Sequence, residues 1–332
     1  MRWRLLNLLD LAPCPDALRP LASAAEVVSL PPDAQMLATR IGEFDGCLAS
    51  LHVRMDQKIL SRAKRLRVIA TASTGTDHLD LDFARERGIE VLSLKDDAEF
   101  LSGITATAEL AWGLLLAVAR RLPGAVAAAR RGNWARDEFR GHQLSGKVLG
   151  IVGYGRLGRI VGEFGKAFQM RVLACDVRPV TPAPGVRICS FDEVLRDSDV
   201  LSVHVHLDER TRGLLGPAEF ARMKPGGMLI NTSRGAVVDE PALLAALESG
   251  RLAGAGLDVI KGEWRPDLDQ HPLIRYARKH EQLVITPHIG GVTHESQAMA
   301  YARIVGKLAD FFRRQRRSAA RKTRKPSAAR MK

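Results

Sequence analysis

Apolar positions along this chain follow two spacings, and the spacings alternate. Residues 2–9, 47–53 and 66–71 are short apolar runs of strand length, while residues 56–63 and 82–87 space their apolar positions as a helix does. Strands alternating with helices predict a parallel sheet. None of these early runs leads into a glycine-rich turn. Residues 105–121 are apolar nearly all round and end before Pro123, which predicts a buried helix packed between domains or between subunits. From Val148 the alternation resumes, with strand-like runs at 148–152, 171–175, 199–204, 227–231, 254–259 and 283–286. Helical spacing at 159–168, 191–196, 217–222 and 240–249 separates most of them, giving a doubly wound sheet of about 180 residues. A last helical segment, 293–312, is expected to pack back on the first domain.

The junction after residues 148–152 is the most specific. Gly153-Tyr-Gly155-Arg-Leu-Gly158 lies between a buried-strand run and a helical one, and Asp176 follows Gly158 by 18 residues at the end of the next strand. Each part has a separate task in binding a dinucleotide. Gly153 allows the tight turn, Gly155 lets the backbone approach a pyrophosphate, and Gly158 permits close helix–strand packing. The helix N-terminus faces the negative charge, and the acid meets a ribose hydroxyl. A glycine triplet alone also suits a purely structural turn; the flanking strands and Asp176 favour the nucleotide.

Length and composition refine this picture. At 332 residues the chain is long for one core, and 46% hydrophobic with 26% charged residues is ordinary globular composition. No basic-plus-apolar leader and no uncharged apolar run of the roughly 18 residues that span a bilayer is seen, so a cytoplasmic location is expected. Cys14, Cys47, Cys175 and Cys189 are scattered and form no Cys-x-x-Cys pair, so neither a metal site nor a disulfide framework is expected. The net charge of +13 is localised: from 311 to 332 there are ten Lys or Arg and no acid, and 13 minus 10 leaves +3 on the rest. Residues 313–332 are therefore expected to form a basic disordered tail making at most non-specific nucleic-acid contacts.

Polar residues cluster where the later strands end, which is where ligands bind in open α/β sheets. Asn231-Thr-Ser-Arg234 follows one strand, Asp258 to Glu263 the next, and Thr286-Pro-His288 the last. Singly, Arg234 suits a surface ion pair, Glu263 a solvated loop and His288 a structural histidine. Together, beside a nucleotide site, they suit hydride transfer: Arg binds a carboxylate through two parallel hydrogen bonds, and Glu beside His stabilises the imidazolium.

With these motifs assembled, the chain resembles the D-isomer-specific 2-hydroxyacid dehydrogenases, the family of phosphoglycerate dehydrogenases and glyoxylate/hydroxypyruvate reductases. The resemblance runs from about residue 54 to 309 and rests on Ser73-Thr-Gly-Thr-Asp-His-Leu-Asp80, Ala106-Thr-Ala-Glu109, the Gly153 fingerprint, Asp199 to His204, Asn231 to Gly235, Gly256-Leu-Asp-Val259 and Thr286-Pro-His-Ile-Gly-Gly291. It implies an α/β protein of two Rossmann-like domains. A doubly wound, parallel-sheet NAD-binding domain (102–287) would be inserted into a smaller flavodoxin-like substrate domain (1–101 plus 288–312), with the active site in the cleft. It makes His288 the general acid/base, Glu263 its partner and Arg234 the clamp on the substrate's carboxylate or 2-oxo oxygen. It also gives Arg54, Ser73, Thr74 and Gly75 to the substrate. Thr74, Gly153, Gly155, Arg156, Leu157, Gly158, Asp176, Thr232, Ser233, Asp258, Gly290 and Gly291 go to the cofactor. Asp176 favours NAD over NADP, although Arg178 stands two residues on.

The implied reaction is hydride transfer between NAD and C2 of a D-2-hydroxy or 2-oxo acid such as 3-phosphoglycerate, glyoxylate or hydroxypyruvate, in a homodimer. The alternative is an NAD(H)-sensing, corepressor-like protein using its basic tail; formate oxidation is disfavoured by Glu263, where formate enzymes carry Gln. The chain departs from the family at Trp264, where proline usually follows the Glu, and at His204-Val-His206, where His-x-Pro is common. Trp264 is expected to cover its loop rather than shape the pocket. No appended regulatory domain is expected, and hence no feedback through one.

Overall fold

The computed structural model describes residues 2–323, with side chains to Ser318, and divides them into two compact units. The first unit comprises Met1–Leu101 and the chain from His294 onward, the second Ser102–Thr293.

In the first unit five strands, β1 (Trp3–Asn7), β2 (Ala25–Ser29), β3 (Gly46–Ala49), β4 (Val68–Thr71) and β5 (Glu90–Leu92), form an all-parallel sheet in the order β2-β1-β3-β4-β5. This is the flavodoxin-like order. The central strands β3 and β4 are buried along their whole length, as strands covered on both faces must be. The helices Gln57–Leu60 and Leu81–Glu86 start where Asp56 and Asp80 accept hydrogen bonds from the backbone N–H groups of Ile59 and Phe83. The helix His294–Thr323 packs on β4 and β5 and buries Phe311 and Phe312, the second ring stacking on Trp3 at 5.1 Å.

That helix corrects one expectation. It runs past Phe312 to Thr323, so residues 313–323 are helical rather than a disordered tail. Arg314 pairs with Glu90 at 2.7 Å and Arg316 donates to the carbonyls of Ser23 and Ala24, which ties the first basic turns to this unit. The rest of the expected tail, 324–332, lies outside the described residues.

The second unit carries β6 (Val148–Val152), β7 (Arg171–Cys175), β8 (Val186–Ile188), β9 (Val200–Val203), β10 (Gly227–Asn231), β11 (Leu252–Leu257) and β12 (Leu283–Ile285), all parallel, in the order β12-β11-β10-β9-β6-β7-β8. Strand order reverses between β6 and β9, the topological switch point at which doubly wound sheets bind ligands. The turn at Gly153 begins there.

Residues 105–121 form the buried helix that their apolarity predicts. The helix Ala106–Ala119 lies on this unit's own sheet, against β10 and β11, with Leu114, Leu115 and Val118 buried. Glycines in β11 make the approach possible: a Cβ on Gly256 would stand 2.9 Å from Leu114 Cβ, and one on Gly254 2.6 Å from Val118 Cγ1. The stretch Ala98–Ala119 has the length and apolarity of a membrane span, but this packing accounts for the apolarity. Residues 288–293 also fall in the second unit rather than beginning the returning segment, because His288, Ile289 and Gly290 are hydrogen-bonded to Asp258.

Candidate functional site

Strand β6 ends at the fingerprint turn, and its geometry follows from the glycines. Gly153 has φ +92°, in the region that L side chains rarely enter. A Cβ on Gly158 would come within 2.2 Å of the Gly153 carbonyl oxygen, so the helix Arg156–Ala167 leaves the turn packed directly on it. A Cβ on Gly155, by contrast, would meet nothing nearer than an Arg178 guanidinium nitrogen at 3.9 Å, which leaves the backbone open to a phosphate. The helix N-terminus presents the N–H groups of Arg156 and Leu157 at that opening. The Arg156 side chain turns elsewhere: its guanidinium donates to the Ile104 carbonyl, and partial burial pushes its pKa down. Its fitness for the cofactor is thus that of its backbone.

Asp176 stands at the end of β7 with its side chain only 6% exposed. It accepts from the Arg178 backbone N–H at 3.0 Å and the Arg178 Nε at 3.4 Å. The carboxylate is held at the tip of the strand, with Arg178 folded onto it.

At β10, Asn231 organises the next loop. Its Oδ1 accepts from the Ser233 N–H at 3.0 Å and the Ser233 hydroxyl at 2.7 Å, and its Nδ2 donates to the Arg234 carbonyl at 3.0 Å. The Arg234 side chain donates to the Ser233 carbonyl at 2.8 Å. The Thr232 hydroxyl is buried without a hydrogen-bond partner, as is Nδ1 of His204 at the end of β9. Two orphaned polar atoms beside the switch point, with the open Gly155 backbone, fit an absent polar ligand and so fit a dinucleotide here.

The loops after β11 and β12 are bound to each other. Glu263 Oε1 lies 2.6 Å from His288 Nδ1, with both side chains less than one-fifth exposed. With Glu263 ionised, hydrogen bonding assigns the proton to Nδ1 and leaves Nε2 for other partners. His288 has φ +55°, an uncommon left-handed conformation for a residue other than glycine. It is maintained by Asp258, 1% exposed: the Asp258 carbonyl accepts from His288 N–H at 2.9 Å, and its carboxylate accepts from Thr286 Oγ1 at 2.6 Å and from the Ile289 and Gly290 N–H groups at 2.8 Å each. Burial pushes the Asp258 pKa up, and the Thr286 and backbone donors oppose that.

The structure therefore spends both Asp258 carboxylate oxygens on shaping the His288 loop, whereas the sequence suggests a cofactor contact. Gly290 likewise is closely covered by Asp258 and Thr107, while Gly291 faces open space. The Thr286 hydroxyl and the stacking of Trp264 on His288, with centroids 6.0 Å apart and planes at 18°, were not assigned from sequence. Trp264 sits next to Glu263, so that adjacency was the available signal.

The other expected residues are in the first unit. Ser73, Thr74 and Gly75 follow β4, with the Ser73 hydroxyl accepting the Gly75 N–H at 3.1 Å. Exposed Arg54 precedes Met55, whose backbone bonds to His78 and Asp80 (2.8 and 3.0 Å), bringing Arg54 close in the fold to that same loop.

Comparison with known proteins gives a consistent result. The family model described as D-isomer specific 2-hydroxyacid dehydrogenase, NAD binding domain, matches residues 112–290. The chain is 37% identical over 278 residues to the glyoxylate reductase of Thermococcus litoralis, covering 80% of each chain. It is 36% identical over 264 residues to the D-3-phosphoglycerate dehydrogenase of Archaeoglobus fulgidus, covering 79% of this chain but only 48% of that one. Among solved structures, D-lactate dehydrogenase from Aquifex aeolicus, complexed with NAD and lactic acid, superposes with a TM-score of 0.81 at 27% identity, over 93% of this chain and 95% of that one.

Proposed function

This chain belongs to the D-isomer specific 2-hydroxyacid dehydrogenases, NAD-dependent oxidoreductases, and on that premise we propose that it interconverts a short 2-oxo acid, glyoxylate or hydroxypyruvate in the first instance, with its D-2-hydroxy acid. The observation that carries the reading is the 2.6 Å pair between Glu263 and His288, on the loops after β11 and β12 of the same sheet whose switch point carries the Gly153 fingerprint. The sensing alternative gains no support: the relatives are named as reductases and dehydrogenases, and the Arg, Glu and His that chemistry requires are all retained.

NAD, when bound, supplies or accepts the hydride at C2. The chain would hold it by the Gly155 backbone, the N–H groups of Arg156 and Leu157, Asp176, and the hydroxyls of Thr232 and Ser233. In the reducing direction His288, its Nδ1 hydrogen-bonded to Glu263, donates a proton from Nε2 to the oxygen on C2, and takes one back in the oxidising direction. Arg234 binds the carboxylate or the 2-oxo oxygen and stabilises the charge that develops on it. The Ser73, Thr74 and Gly75 backbone and Arg54 are proposed as further substrate contacts, supported by the half-buried loop after β4 and by exposed Arg54 lying close to it in the fold. Arg54 also suits a phosphorylated acid, which keeps 3-phosphohydroxypyruvate among the substrates to test.

A homodimer and a cytoplasmic location complete the proposal. The first is supported by exposed Leu122, Val126 and Trp134 around the helix Leu122–Arg130, the second by four unpaired cysteines. The decisive test is NADH oxidation with glyoxylate, hydroxypyruvate, pyruvate and 3-phosphohydroxypyruvate. His288→Asn keeps a residue that accepts positive φ, and is expected to lower kcat by about 10²- to 10⁴-fold while NADH still binds. No turnover of any of the four acids would remove the proposal.

A further inference from the structure

The His288 imidazole is restrained on its edge by Glu263 and beneath, through the backbone, by Asp258; the third restraint is Trp264. Glu263 and Trp264 are consecutive residues of one tight loop in which Gly262 takes φ +67° and Arg265 N–H closes back on the Gly262 carbonyl at 3.0 Å. The loop is pinned beyond that point by the Arg265–Asp267 ion pair. Its geometry sends one side chain to the Nδ1 edge of the imidazole and the next to its face: Trp264 and His288 stack with centroids 6.0 Å apart and planes within 18°. The indole is 43% exposed, so it is not there to fill the core.

We propose that Trp264 is a positioning residue for proton transfer: its indole face, stacked on the His288 imidazole beside the Glu263 hydrogen bond, fixes the ring plane and attracts the ring in its protonated form. An aromatic face against a cation is attractive through the ring quadrupole, and the planes' small angle leaves the ring little freedom to rotate about χ2. Edge and face restraint together leave Nε2 in one direction. Glu263 meets the ring at its Nδ1 edge and Asp258 acts on it through the loop backbone, while Trp264 stacks on its face. This inference deepens the proposed activity and rests on it for its kinetic part alone.

The test has two readouts. Indole emission is quenched by a neighbouring protonated imidazole, so the parent is expected to be brighter at alkaline than at acid pH. His288→Asn and Trp264→Phe are expected to lose that component, while Trp3, Trp112 and Trp134 remain as constant background. In steady state Trp264→Leu is expected to lower kcat about three- to tenfold with KM for NADH within about twofold, and Trp264→Phe, which keeps a ring on the imidazole, to stay near the parent. Thermal melts of both variants exclude misfolding as the cause. A pH-dependent emission that persists in His288→Asn overturns the stack; an unchanged kcat in Trp264→Leu, or equal losses in Leu and Phe, overturns the positioning role. If no acid is turned over, the activity falls, and the emission titration still decides the stack.

Discussion

His204 carries a pH dependence that its surroundings impose on a single side chain. It is half-buried just past the end of β9, its Nε2 lies 2.8 Å from the Ser202 hydroxyl, and desolvation of the ring pushes its pKa from the ordinary 6.5 down to about 4. The unfolded chain takes up a proton between these values and the folded chain does not. Stability is therefore complete above pH 6.5 and falls as pH is lowered toward 4, by about 3 kcal/mol for this group alone. Urea unfolding at pH 7 and pH 4.5 is expected to show that loss, and His204→Phe to show a smaller difference between the two pH values; an equal difference would assign the acid sensitivity elsewhere. Residues of this kind were partly legible. Arg234, Glu263 and His288 stood out because each lies in the loop that follows an apolar strand. The Asp258 carboxylate's use on the His288 loop and the Trp264 stack were not, because both depend on loops whose contacting residues lie 24 to 32 positions apart meeting, which no local pattern records.

Elements show the same division between local and tertiary causes. Apolar strands such as β6 and β10 and the helical stretches at 56–63 and 82–87 were legible from their period, whereas the helix start at Asp80 was not placed. The sheet-edge strands β2, β5 and β8 went unread, two of them only three residues long and all with mixed polarity, since pairing rather than sequence makes them strands. The helix His294–Thr323 is attached to its unit by charge as well as by Phe311 and Phe312. Asp97 receives Arg303 at 2.6 Å and Lys307 at 3.1 Å, and the Arg303 hydrogen bond above all, with Lys307, holds its pKa down at about 2. Its contribution is present above the usual carboxylate range and is lost as pH falls toward 2. Asp97→Asn is expected to speed amide exchange in this helix roughly two- to fivefold without changing exchange in β6–β12, as read by mass spectrometry. In the second unit, Gly256→Val puts a side chain where Leu114 Cβ and Ile230 Cδ1 stand at 2.9 and 3.0 Å, and is expected to destabilise by about 1–3 kcal/mol in denaturant titration; no loss would mean that the helix Ala106–Ala119 yields without cost.

For the whole molecule, charge is distributed as the sequence indicated although part of it is folded differently. Residues 319–332 hold six Lys or Arg, so ending the chain at Ser318 lowers the net charge from +13 to +7. The shortened protein is expected to leave a heparin column at clearly lower salt while keeping its melting temperature and its turnover. Retained heparin affinity would place the polyanion contact on the folded units. The order of strands in the second unit separates two tasks across the sheet: Asp176 ends β7, and Arg234, Glu263 and His288 follow β10, β11 and β12. From β7 to β10 is three strand spacings, about 14 Å. Selection for a different dinucleotide can therefore act on one flank of the sheet, at Asp176 and Arg178, while selection for a different acid acts on the other. The two preferences are free to drift apart in evolution, and a designer can recombine them as separate libraries.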